Sequence, residues 1–258
     1  MLHYARTGQG PVLVLQHGFL GGSAYWRSQM NAFGSRFDVI APDLAGFAGS
    51  ADEPVRTSIE GHVEALVELL DALHVDRFHL LGHSMGGMVA LQLALDRPER
   101  VASLMLYGTA SSGALPERFE TFESSIRRIE KEGVEACARR IASTWLIDGE
   151  ASGHLPLCLE AGRGTRAAAA VAALSCFGRW DVTRRLEELH MPTLVVSGDK
   201  DRSVNPRHAL ALWHAIDGSE LCIAPGCAHG VHLDDGALFE HVIGRFLRRA
   251  ADVSLPSP

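Results

Sequence analysis

The six residues Gly82-His83-Ser84-Met85-Gly86-Gly87 constrain this chain more than any other stretch. Before them runs Arg77-Phe78-His79-Leu80-Leu81, which reads as a buried strand; after them, residues 88–95 read as a packed helix. A serine between small residues at a strand-to-helix turn is the nucleophile elbow. The tight turn lifts the hydroxyl above the sheet edge, where a base can reach it. Gly82 and Gly86 leave the backbone room to turn, because a Cβ there would crowd the start of the helix. The plainer alternative is a serine N-cap with glycines nearby.

The rest of the chain alternates in the same way. Apolar runs predict strands at 12–16, 37–41, 101–107, 193–197 and 220–224. Helices are predicted at 24–33, near 206–215 and at 238–249, and Ile59, Val63, Leu66, Leu70 and Leu73 recur at helical spacing. Residues 254–258 read as a frayed tail. Strands alternating with helices predict an α/β fold, a mostly parallel sheet covered by helices on both faces.

The rhythm breaks between residues 109 and 185. Phe119, Phe122, Ile126 and Ile129 fall on one helix face, Val134, Cys137, Ile141 and Trp145 on another, and 167–173 is alanine-rich. This block reads as an inserted helical cap, with 1–108 and 186–258 forming the core.

Composition narrows the classes of function. A net charge of −7 over 258 residues argues against a nucleic-acid partner. The 13 histidines are scattered without metal-ligand spacing, so no metal is expected; His79 and His83 are four apart, but with a turn expected between them. Five cysteines without short-range pairing fit reduced, mostly buried thiols in a cytoplasmic protein. The first residues lack a basic region followed by an apolar core, so no signal peptide is expected. No apolar run is long enough for a bilayer, so no membrane partner is expected either.

Ligands of parallel sheets sit beyond the carboxyl ends of the strands, and the remaining motifs leave such ends. His17-Gly18-Phe19-Leu20-Gly21-Gly22 follows the first apolar run, and its glycines let backbone N–H groups face inward as an oxyanion hole requires. Gly198-Asp199-Lys200-Asp201-Arg202 offers two carboxylates able to orient a histidine, although either could simply start a turn. Residues 225–232 offer two candidate bases, His229 and His232. The chain order is serine, acid, histidine.

With these loops in view, the chain resembles the α/β-hydrolase superfamily over residues 10 to 250. The family's Gly-x-x-Asp pattern selects Asp201 over Asp199, and its small residue before histidine, as in Ala228-His229, selects His229 over His232. The stretch Asp43-Leu44-Ala45-Gly46-Phe47-Ala48-Gly49-Ser50 resembles a family loop read as scaffold, with Ala48 departing from the usual pattern. The helical block resembles that of the 3-oxoadipate enol-lactonase type, through Gly108-Thr109-Ala110, Gly133-Val134-Glu135-Ala136, Thr144-Trp145 and Trp180-Asp181-Val182. Relatives that open epoxides or displace halide carry aspartate at the elbow, so Ser84 favours acyl transfer.

The resemblance therefore implies a serine hydrolase of a small ester or lactone. Ser84 is the nucleophile, His229 the base and Asp201 its orienting acid. The N–H groups of Phe19 and Met85 form the oxyanion hole, and no cofactor is implied. Trp145, Trp26 and Trp180 are candidate substrate contacts, though large aromatics are usually simply buried. Arg127-Arg128 and Arg139-Arg140 read as solvated faces, one of which could grip a substrate carboxylate. Two rivals share the scaffold. One is a C–C bond hydrolase of ring-cleavage products, disfavoured by Phe19-Leu20-Gly21-Gly22 where those relatives carry Gly-Pro-Gly. The other is a non-catalytic receptor for a small ligand.

Overall fold

The computed structural model describes residues 1–253, with side chains to residue 250; the tail expected at 254–258 lies outside the described residues. Seven strands form one sheet in the order β1-β3-β2-β4-β5-β6-β7. They are β1 (Tyr4–Thr7), β2 (Val12–Gln16), β3 (Asp38–Pro42), β4 (Phe78–His83), β5 (Val101–Tyr107), β6 (Thr193–Gly198) and β7 (Glu220–Ala224). All neighbours are parallel except β1, which runs antiparallel to β3 at the edge.

The central strands are apolar runs because both of their faces are covered: every residue of β3, β4 and β6 is buried. Strand β1 was not predicted. It is a short, half-exposed edge whose Arg6 forks onto Asp38 at 2.9 and 2.6 Å, and such a strand leaves no apolar run to read. His79 and His83 both lie on β4, so the turn expected between them is absent and the elbow begins one residue later.

The helices fall in layers. Helices α1 (Arg27–Phe33) and α10 (Gly236–Val253) pack together on one face. Helices α2 (Ile59–Ala72) and α3 (Met85–Asp96) pack together on the other, α3 lying across β4 and β5. Ser58 caps α2 by accepting the Gly61 N–H at 3.0 Å. The predicted helix at 24–33 begins as a 3₁₀ turn, Ser23–Trp26.

Between β5 and β6 the chain forms α4 (Phe122–Glu132), α5 (Val134–Ser143), α6 (Leu155–Ala161) and α7 (Ala167–Phe177). Gly133, at φ +88°, breaks α4 from α5. Helix α6, which carries a proline in its first turn, was not anticipated. Beyond β6 follow α8 (Arg207–Ala215) and the short α9 (Val231–Asp234).

Strand β2 pairs with β3 on one side and β4 on the other, with Gln16 opposite Gly82. The chain order reverses there, and the loops leaving β2 and β4 diverge around a crevice at their carboxyl ends, the usual ligand position in such sheets.

Candidate active site

Ser84 occupies that crevice. Its backbone is at φ +56°, ψ −120°, a conformation L residues rarely adopt. The strain is held from both sides: Ser84 N–H donates to the Tyr107 carbonyl at 2.9 Å, and Ser84 C=O accepts the Thr109 hydroxyl at 2.8 Å. The glycines are needed for the reason the sequence suggested. A Cβ on Gly82 would lie 2.3 Å from the Gly86 carbonyl oxygen, and one on Gly86 would lie 2.4 Å from that of His17.

The loops after β6 and β7 bring Asp201 to His229, with Oδ2 2.6 Å from Nδ1 and both side chains fully buried. The other carboxylate oxygen accepts the N–H groups of Ser203 and Val204 at 2.8 and 2.9 Å. The carboxylate is thus fixed on two sides. Asp199 instead faces outward, braces the Gly226 N–H at 2.7 Å and pairs with Lys200 at 2.9 Å, which lowers its pKa. His232 is directed away from Ser84: its Nδ1 meets the Tyr107 hydroxyl at 2.9 Å, and burial pulls it down to about 3.

His83 lies under the pair. It stacks on Tyr25, donates from Nε2 to the His229 carbonyl at 3.2 Å, and burial holds it well below the usual histidine range. It is therefore a neutral packing residue. His17 is fixed as a neutral tautomer, with Nδ1–H on the Gly18 carbonyl at 2.8 Å and Nε2 accepting the Leu44 N–H at 2.9 Å; burial lowers its pKa too. Asp43 binds the N–H of Ser23 and that of Gly49, so its loop is scaffold for the turn after β2. Ala48 sits at φ +43°, a region that favours glycine. The amides of Phe19 and Met85 have no acceptor among the described residues.

Ser84, His229, Phe19 and Met85 line one pocket together with Arg118, Phe122, Ile141, Trp145, Leu174 and Phe177 of the helical segment. Its volume is about 40 Å³ counted as space open to the centre of a water molecule, room for a few waters or a short chain. No hydrogen bond joins Ser84 to His229 among the described residues, so of the chain expected from Asp201 through His229 to Ser84 only the first link is closed. Links of this kind commonly tighten only when substrate is bound.

A sequence model described as alpha/beta hydrolase fold matches residues 11–131. An esterase from Thermogutta terrifontis superposes with a TM-score of 0.86 at 28% identity, covering 96% of this chain and 93% of the other. The chain has the α/β-hydrolase fold. In sequence it is similar to the putative carbamate hydrolase RutD of Agrobacterium fabrum, 29% identical over 95% of this chain and 96% of that one. It is also similar to the 2-hydroxy-6-oxo-6-phenylhexa-2,4-dienoate hydrolase of Comamonas testosteroni, 28% identical over 96% and 92%. The enol-lactonase of Burkholderia xenovorans LB400 has a TM-score of 0.87 at 23% identity, covering 96% of both chains; at that identity the likeness is one of fold. The protein is a hydrolase of the α/β fold.

Two expectations about this hydrolase need correction. Trp26 is fully buried beside His232, and Trp180 donates from Nε1 to Gln92 of α3 at 2.8 Å; both lie outside the pocket lining. Both are core residues, because their size suits any cavity and sequence does not say which. Trp145 does line the pocket, with its ring edge-on to Tyr25 at 6.0 Å and 6.4 Å from His229. Arg118, which sequence reading passed over, also lines the pocket; burial lowers it to about 10, so it stays charged at neutral pH. The cysteines are free, and all but the half-buried Cys222 are buried, with Cys158 pushed up to about 12 by burial. No group of three metal-ligating side chains converges among the described residues, and no helix among them is long and apolar enough to cross a membrane.

Proposed function

We propose that this hydrolase cleaves small carboxylic esters or lactones through an acyl-enzyme on Ser84. The observation that carries the reading is the buried contact of 2.6 Å between His229 and Asp201, at a pocket shared with a strained serine. Asp201 accepts the Nδ1 proton of His229, which leaves Nε2 as the base that takes the Ser84 proton as the hydroxyl attacks. The Phe19 and Met85 N–H groups hold the oxyanion, each worth about 3 kcal/mol in the transition state. His229 then protonates the leaving alcohol and activates the water that releases the acyl group. The segment 109–185 acts as a cap that admits a small-molecule substrate and excludes bulk water, with Trp145 as its contact nearest the reacting atoms. The net charge of −7 favours a small-molecule substrate over a nucleic-acid partner, and the reading places the enzyme in the cytoplasm without a membrane partner.

Hydrolysis of 4-nitrophenyl butyrate is the direct test. Ser84→Ala should lower kcat by about 10⁶-fold, the size of a nucleophile deletion in another serine hydrolase. A fluorophosphonate should phosphonylate Ser84 with loss of fluoride, adding the reagent's mass less HF to the peptide containing Ser84. Labelling elsewhere, or turnover that survives Ser84→Ala, would refute the reading. The Comamonas relative keeps a second reading open, a C–C bond hydrolase with the same triad. Turnover of a ring-cleavage dienoate faster than any ester, lactone or carbamate in a panel would favour it.

A further inference from the structure

Arg118 is the arginine of the helical segment that lines the pocket of Ser84. Arg128 and Arg140 share the Glu120 carboxylate at 3.5 and 2.9 Å, and Arg185 pairs with Asp96 and Glu188. Arg118 has no carboxylate within ion-pair distance among the described residues, although it is half-buried. Its Nη1 donates to the Glu120 carbonyl at 2.7 Å and to the Ser125 hydroxyl at 3.1 Å, which uses both hydrogens on that nitrogen. Its plane lies against Phe119 and Phe122, at 4.5 and 4.9 Å from the ring centroids. The guanidinium is thus held in one orientation while Nε and Nη2, one edge of the fork, have no acceptor among the described residues.

The pocket it lines is otherwise mostly apolar and contains no carboxylate. A desolvated, pre-oriented cation with an unused bidentate edge, in the pocket of the nucleophile, is suited to a planar anion. Resting on the ester or lactone reading above, we infer that Arg118 is an anion subsite and that the substrate is an ester or lactone bearing a free carboxylate. The carboxylate replaces water on Nε and Nη2, while the apolar walls take the intervening methylenes.

The test compares mono-(4-nitrophenyl) glutarate with 4-nitrophenyl butyrate, similar acyl chains with and without the charge. Arg118→Gln should lower kcat/KM for the glutarate ester by about 30-fold, as the loss of hydrogen bonds to a charged group predicts. The butyrate should change by less than about threefold by the same principle. Arg118→Lys, which keeps the charge and loses the fork, should fall between. A parallel fall on both esters would make Arg118 a brace for the Glu120 turn and overturn the proposal, as would a wild-type preference for the butyrate. Calorimetric titration with glutarate separates this inference from the hydrolase reading. If the wild type hydrolyses neither ester, that reading fails. The subsite then stands if glutarate binds the wild type and not Arg118→Gln, and falls if it binds neither.

Discussion

Strand β4 and helix α4 contribute to the same pocket under opposite conditions. Every residue of β4 is buried, whereas in α4 only Ser125 and Ile129 are. On the strand, both faces and both neighbours fix each side chain, so the serine that follows it is positioned by a whole sheet. On the helix one face meets water, and residues there can change without disturbing the core. Under the proposed function, reaction type resides in the first region and substrate choice in the second.

The division is broken most severely by changing the buried acid. Asp201→Asn should lower turnover by about 10⁴-fold through the wrong histidine tautomer. Asp199→Asn, at the surface one turn away, should cost less than about threefold by the same comparison. Equal losses, measured on one ester, would show that the two carboxylates are not separated in role as their contacts suggest.

A smaller effect tests whether acid sensitivity belongs to the core. His62 on α2 is buried with both ring nitrogens unpartnered, and burial, aided by His17 and Arg56, pulls it down to about 4. Its ordinary value is about 6.5, so between 6.5 and 4 the unfolded chain binds the proton that the folded chain refuses. Stability is fully present above pH 6.5 and is lost as the pH falls through that window, by about 3 kcal/mol for this one group. Urea unfolding at pH 7 and 4.5 should show a shallower loss for His62→Leu. An unchanged pH slope would place the acid sensitivity elsewhere.

The mildest change sharpens the other side of the comparison. Trp145→Ala should shift the kcat/KM ratio between short and long acyl esters by about tenfold, the scale on which pockets discriminate methylenes. The melting temperature should fall by less than about 5 °C. A large thermal loss with all substrates scaled down together would assign Trp145 to the core.

What was legible in the sequence follows the same division. The parallel strands were readable because continuous burial demands continuous apolar runs, and the elbow because its close backbone approaches demand glycine at fixed spacing. Strand β1 was not, since an edge paired on one side tolerates Tyr4-Ala5-Arg6-Thr7. Arg118 was hidden for a related reason. In Pro116-Glu117-Arg118-Phe119-Glu120 it looks like one charge in a solvated run. Only the fold shows that Glu117 is taken by Arg207 and Glu120 by Arg140, leaving the arginine between them without a carboxylate. The one local hint was the pair of flanking aromatics, Phe119 and Phe122, on which its plane rests.

The stretch just after α5 is fastened to both loops that hold the acid and the base. The Trp145 carbonyl accepts the Gly230 N–H at 2.6 Å, Thr144 meets Ser203 at 3.3 Å, and Asp234 receives the N–H groups of Ile147 and Ala228 at 3.1 and 2.8 Å. Anyone redesigning this protein for a bulkier substrate inherits those fastenings. Residues 144–147 anchor the loops of the acid and the base, and Trp145 also lines the pocket, so any change that shifts this backbone would move His229 along with the pocket wall. Helices α4 and α7, which touch each other and bring the first residue of α4, Phe122, and the last of α7, Phe177, to the pocket, are the surfaces to diversify first.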